Sequence, residues 1–251
     1  MCRIIIFFKN LDNQIEYVNR FLSQAEKLKN TPGLDNDRDF NYHKDGYGFL
    51  FYNNKWSLYK SSLMYKDDNN SKFINDKLKN SNILIGHIRA TKHHFDDDVC
   101  YNNTHPFWYK EQYWLHNGSA YPLETDFFKK YIDSKFLEHI KGKTDSELLF
   151  YIFLTILDKI KNIDKAWENF FKLLNRFSSE NNISISANII YCNKDIIYVS
   201  RAINNDEIAP SLYFDENLNI ISSEPVSDKY HLLKNNSYIK YVISTKNIEI
   251  I

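Results

Sequence analysis

The order of hydrophobic patterns predicts an α+β protein in which antiparallel sheets pack on one another with helices outside them. Short strand-type runs fill the N-terminal part of the chain, the segment from Leu123 to Ser178 repeats at helical spacing, and strand-type runs return from Ser184 to Ser244. Strands and helices therefore come in blocks. There is little of the strand, helix, strand alternation that builds a parallel sheet.

Cys2 to about Phe8 is an apolar run of strand type. Ile15, Val18, Phe21, Leu22, Ala25 and Leu28 then form one face at 3.6-residue spacing, and Thr31-Pro32-Gly33 supplies the helix stop. Phe49 to Tyr52 and Trp56 to Lys60, joined through Asn53-Asn54, read as a hairpin. A short helix over Ser71 to Lys79 precedes Ile83 to Arg89, a strand apolar enough on both faces to be buried. The polar segment Lys92 to Asn103 is a loop, followed by strands at His105 to Tyr109 and Gln112 to His116. The strongest helices fall at Asp145 to Ile160 and Ile163 to Phe177. Later strands are expected at Ser184 to Cys192, Asp195 to Ala202, Leu212 to Phe214, Leu218 to Ser222 and Tyr238 to Ser244.

The 251 residues, 43% hydrophobic and 16% aromatic, suffice for a large core and read as one domain over 2–251. Net charge is zero and no Lys/Arg block stands out, so neither a nucleic acid nor an anionic membrane is the expected partner. The first apolar run contains Arg3 and closes at Lys9, which excludes a signal peptide or a membrane span there. Three cysteines without CxxC spacing fit reduced thiols in the cytoplasm.

Cys2 is the residue with the most chemistry. If Met1 is removed, Cys2 carries a thiol and a free α-amine, and at a reference pKa of about 7.7–8.0 roughly a tenth to a fifth of that amine is an uncharged base at pH 7. Nucleophile and general base then share one backbone position. The plain alternative is a small buried cysteine opening a core strand.

Four further segments each have a chemical and a structural explanation. Alternation puts His87 and Arg89 of Gly86-His87-Ile88-Arg89-Ala90-Thr91 on one face at a strand end, where Arg89 needs an anion or a structural ion pair. Asn103-Thr104-His105-Pro106-Phe107 is a constrained turn into a strand. In His116-Asn117-Gly118, Asn-Gly is a strong hairpin signal, yet an Asn amide next to a Gly N–H also suits an oxyanion hole. Thr144-Asp145-Ser146-Glu147 is a capping box that leaves Asp145 either supporting a helix N-terminus or gripping an ammonium.

With these residues assembled, the chain resembles the class II glutamine amidotransferases, the N-terminal-nucleophile hydrolases that use cysteine, and is most similar to their stand-alone members. Met1-Cys2-Arg3, Asp45-Gly46-Tyr47-Gly48, His87-Ile88-Arg89-Ala90, Asn103-Thr104-His105-Pro106-Phe107, His116-Asn117-Gly118 and Thr144-Asp145-Ser146-Glu147 occur in the family's order, and Ser223-Glu224-Pro225 resembles a late motif. The resemblance implies a four-layer α/β/β/α sandwich of two antiparallel sheets with Cys2 at the start of a central strand. It implies Cys2 as nucleophile with its own amine as base, Asn117 and Gly118 as the oxyanion hole, and Arg89 and Asp145 as clamps for a γ-glutamyl α-carboxylate and α-ammonium. Thr91 and His105 join the substrate-binding set, with His87, His105 and His116 as pocket wall.

The expected reaction is hydrolysis of the glutamine γ-amide with release of ammonia, without metal or cofactor. Two alternatives stand beside it: a γ-glutamyl peptidase acting on glutathione-like compounds, and a catalytically silent domain of the same fold. A metal-dependent hydrolase built on His43, His87, His93, His94, His105 and His116 lacks HExxH or CxxC spacing. The chain departs from many relatives in carrying Lys92 three residues after Arg89, with Thr91 one place earlier, where they have threonine. Nothing after the matching region is expected to form a synthase domain, so ammonia goes either to a separate acceptor subunit or to solvent.

Overall fold

The computed structural model describes residues 2–26, 43–91, 98–120, 125–204 and 209–251. Its thirteen strands form two sheets, and every pairing is antiparallel. The first has the order β11 (Tyr230–Leu232), β9 (Tyr213–Asp215), β10 (Ile220–Ser222), β1 (Arg3–Phe7), β4 (Ile83–Ile88), β2 (Tyr47–Asn53), β3 (Lys55–Ser61). The second runs β13 (Asn247–Ile250), β12 (Ser237–Val242), β8 (Ile196–Ile203), β7 (Ser186–Cys192), β6 (Gln112–Ser119), β5 (Phe107–Tyr109).

Three apolar clusters define the layers. Ile4, Ile6, Ile85, Leu115, Ile190 and Val199 pack together, so the two sheets face each other. Ile5, Phe7 and Phe49, on the other face of the first sheet, pack against Phe21 of α1 (Gln14–Ser23) and Leu78 of α2 (Ser71–Lys79). Trp114, Ile189 and Tyr191, on the outer face of the second sheet, meet Phe153 of α5 (Asp145–Ile160) and Phe170 of α6 (Ile163–Asn181). The result is the α/β/β/α sandwich, with β1 buried on both faces because its odd and even residues enter different cores.

The predicted strands and major helices are present, with differences that have local causes. The first helix is described only to Ser23, followed by a turn, and Leu28 and Thr31-Pro32-Gly33 lie outside the described residues. The helical stretch before α5 consists of two short pieces, α3 (Thr125–Lys129) and α4 (Ser134–Leu137), the second capped by the Asp133 side chain. The strand before β6 starts at Phe107, and β11 and β13 are additional edge strands. Asn117-Gly118 makes no hairpin turn. Both lie inside β6, paired with Asn188 and Ala187 of β7, and the turn of that hairpin lies instead at Lys110-Glu111, with Lys110 at φ +53°.

Candidate active site

Strand alternation assembles the polar groups. Cys2 shares the inter-sheet face of β1 with Ile4 and Ile6, His87 shares that of β4 with Ile83 and Ile85, and Asn117 shares that of β6 with Leu115. Ser223 follows Ile221 of β10 on the same face. One end of the gap between the sheets is thus polar, and the rest is hydrocarbon.

The Cys2 thiol is part-exposed and lies against the turn after β4, with Sγ 3.6 Å from the Ala90 carbonyl and 3.5 Å from the Ala90 N–H. That turn is shaped by Asp45, whose Oδ2 accepts from Thr91 N–H at 2.7 Å. Arg89 N–H donates to Gly46 O at 2.8 Å, and Gly46 sits at φ +111°, a conformation that favours glycine. Arg89 is buried and its Nη1 donates to the carbonyls of Asp98 (2.7 Å) and Asp45 (3.4 Å). These bonds fix the guanidinium of Arg89, whose chain neighbour Ala90 contacts the Cys2 thiol. Lys92, and His93 and His94 of the metal alternative, lie outside the described residues, within which no group of three or more His, Cys, Asp and Glu is placed to hold a metal ion.

Asn117 is fully enclosed, its Nδ2 donating to Ser223 Oγ at 3.4 Å while its Oδ1 has no hydrogen-bond partner among the described residues. Gly118 is required by close packing, since a Cβ there would lie 1.9 Å from the Ser186 carbonyl oxygen. Asp145 supports the start of α5 and reaches the end of β6. Its Oδ1 accepts from Ser146 N–H (2.7 Å) at the start of α5, and its Oδ2 accepts from Ala120 N–H (2.9 Å), binding the helix to the strand end that carries Asn117 and Gly118. The capping box is only half formed. Thr144 Oγ1 accepts from Glu147 N–H, but the Glu147 carboxylate turns to the N–H groups of Lys141 (3.0 Å) and Gly142 (2.6 Å).

The three histidines form one wall of the site. His116 points to the helix side of β6, with Nε2 3.1 Å from Ser186 O and therefore protonated there, and Nδ1 2.9 Å from Ser146 Oγ. His87 donates from Nε2 to His116 O at 3.2 Å, and its ring lies 4.0 Å from that of His105. Burial holds His87 down to about 3, the positive charge of Arg89 adding to the effect, and holds His105 well below the ordinary imidazole value. His105 touches His87 and Phe107 with its ring, and both its nitrogens lack a hydrogen-bond partner among the described residues.

The contacts of Ser223 and Glu224 were not apparent from the sequence, although their Ser-Glu-Pro motif was. Ser223 forms two bonds with Ile4 of β1: its N–H donates to Ile4 O and its Oγ accepts from Ile4 N–H, both at 2.9 Å. Glu224 receives Arg3 Nη2 at 2.5 Å, and Arg3 Nη1 donates to Cys2 O at 3.3 Å.

A family model described as "Glutamine amidotransferases class-II" matches residues 30–236. The chain is 29% identical over 176 residues to the probable glutamine amidotransferase DUG3 of Saccharomyces cerevisiae, a match covering 64% of this chain and 46% of that protein. It therefore spans about half the length of that relative. The fold is similar to a glutamine aminotransferase class-II domain protein from Silicibacter pomeroyi (TM-score 0.64, 17% identity, 100% of this chain and 98% of that one). It is also similar to glutamine phosphoribosylpyrophosphate amidotransferase from B. subtilis (TM-score 0.61, 13% identity, 100% of this chain and 49% of that one).

Proposed function

Because the chain belongs to the class II glutamine amidotransferases, we propose that it hydrolyses the γ-amide of glutamine through a γ-glutamyl thioester on Cys2. Cys2 lies ahead of the segment matched by the family model, so its role rests on its surroundings. The supporting observation is that the strand following Cys2 is joined to Asn117 through two consecutive hydrogen bonds: Ile4, two residues after Cys2, donates to Ser223 Oγ, which also accepts from Asn117.

With Met1 removed, the Cys2 amine takes the thiol proton as sulfur attacks the γ-carbonyl carbon, forming the S–C bond. The carbonyl oxygen gains the negative charge, which the Asn117 Nδ2 and Gly118 N–H groups stabilise. The C–N bond then breaks, the ammonium on Cys2 returns its proton to the departing nitrogen, and ammonia leaves. Water, deprotonated by the same amine, attacks the thioester, releasing glutamate and restoring the thiol. Arg89 binds the α-carboxylate and Asp145 the α-ammonium, which fixes the carbonyl presented to sulfur. Thr91 and His105 complete the substrate wall.

Ammonia passes to a separate acceptor subunit in this reading. Its support is that the shared fold accounts for only 49% of the phosphoribosylpyrophosphate amidotransferase chain, so in that relative the fold is one part of a larger enzyme. A cytoplasmic setting is supported by the three free cysteines. Among the described residues no helix is long and apolar enough to cross a membrane.

Intact-mass analysis before and after incubation with 6-diazo-5-oxo-norleucine, together with an ammonia-release assay on glutamine, tests the proposal. The expected result is loss of Met1, one adduct on Cys2 and turnover that Cys2→Ala abolishes. Full activity with Met1 retained, or undiminished turnover in Cys2→Ala, overturns it.

A further inference from the structure

The Ser223 hydroxyl stands where the two sheets approach at their polar end. Residue 223 is held on β1 by its paired bonds to Ile4, and its carbonyl accepts from Ser211 Oγ at 2.8 Å. Its position relative to the nucleophile strand is therefore fixed from three directions. Across the gap, the same Oγ accepts from Asn117 Nδ2, the single side-chain hydrogen bond of Asn117 among the described residues. An amide nitrogen carries two hydrogens, so a bond from one sets the rotation of the amide and leaves the other for a second acceptor. At 3.4 Å this bond is near the long limit of hydrogen bonding and contributes little to folding. Its use is directional.

We propose that Ser223 is a positioning residue for the reaction, setting the Asn117 amide against Cys2 because one hydroxyl holds both the nucleophile strand and the amide. The inference rests on Asn117 acting as oxyanion donor. An oxyanion donor works only when it is 2.7–3.1 Å from where the charge develops, so a rotated amide loses most of its effect while substrate still binds.

The experiment is a double-mutant cycle on Met1-free protein with glutamine, comparing wild type, Ser223→Ala, Asn117→Ala and the double variant, with Cys2 alkylation by iodoacetamide as a second readout. Ser223→Ala is expected to lower kcat about 10- to 100-fold with KM nearly unchanged. Alkylation, which needs no oxyanion hole, should keep the wild-type rate, and Ser223→Ala should add nothing in the Asn117→Ala background. Ser223→Thr, which retains the hydroxyl, should recover most of kcat. If Ser223→Ala does not fold, Ser223→Cys replaces the hydroxyl with a weak acceptor of similar size and must show the same kcat loss. Independent, multiplying losses in the double variant, or an alkylation rate that falls together with kcat, overturn the positioning role. If Asn117→Ala is impaired and Ser223→Ala is not, only this role falls; if Asn117→Ala turns over glutamine normally, the oxyanion reading falls first.

Discussion

Arg3 and Glu224 form an ion pair whose side chains are 3% and 7% exposed, and the same guanidinium donates to the Cys2 carbonyl. Burial pushes the Arg3 guanidinium down and the Glu224 charge pushes it back up. Such a pair is costly to break from one side, because the surviving charge stays out of water. Glu224→Gln should cost about 3–5 kcal/mol in urea unfolding, while Arg3→Met with Glu224→Leu should recover most of it. A single-variant loss below about 1 kcal/mol would contradict this account.

Asn117→Asp preserves shape but places a charge where the oxyanion forms. We expect kcat to fall at least about 10²-fold with little change in melting temperature. A lowered melting temperature with normal kcat would mean that the amide serves only the fold.

Arg89→Ala and Asp145→Asn should act on substrate binding. Losing one charged hydrogen bond at about 1.5–3 kcal/mol raises KM about 10- to 150-fold. Asp145→Asn is the cleaner variant, since its amide oxygen can still accept from Ala120 N–H. In the proposed reading both clamps address only the glutamyl half, so glutamine and glutathione should lose equally. In wild type, kcat/KM for glutamine above that for glutathione marks the amidase, and the reverse order marks the γ-glutamyl peptidase. Unequal losses would show that a clamp touches the leaving group.

The histidine wall predicts an acid-sensitive fold. The unfolded chain takes up protons at about pH 6.5 on His87 and His105, whereas the folded chain resists them until about pH 3 at His87. Stability is therefore full above about pH 6.5 and falls with decreasing pH by up to about 1.4 kcal/mol per unit for each histidine. Asp68 and Asp158, both held at about 2, lose their contributions only below the ordinary carboxylate range, whereas burial raises the Glu147 carboxyl, which works in the opposite direction as the pH falls, so a Glu147→Gln background lets the window from 6.5 to 4.5 report the histidines. Urea unfolding across that window checks this, and a flat profile refutes it.

Much of this site was legible because its residues occur in short, ordered motifs at strand ends and a helix start. α5 and α6 were legible for the same reason that they are stable, a long apolar run buried all round from Ser146 to Thr155 in the first and one continuous apolar face in the second. The edge strands β11 and β13 were not, because three or four half-exposed residues carry too little alternation. Asn117-Gly118 was ambiguous because turn propensity is local, whereas the outcome was decided by β7 and by the approach of the Ser186 backbone to Gly118. Ser223 and Glu224 stood out as a motif, but their partners on β1 lie more than 200 residues earlier in the chain, and only folding brings them together.

Cys2 and Asn117 hang from different sheets, so what spaces them apart from Ser223 is a stack of hydrocarbon. Leu115 and Ile190 from one side and Ile4 and Ile6 from the other act as shims between two plates that sit about 10 Å apart. Removing a methylene there, as in Ile190→Val, costs about 0.5–1.5 kcal/mol of stability, a loss a folded population barely registers. Turnover is the finer gauge, because a plate that settles by a fraction of an ångström shifts the amide relative to the sulfur. On the proposed mechanism the oily middle of this protein is held to a catalytic tolerance, and its permitted drift is set at the far end of the gap it fills.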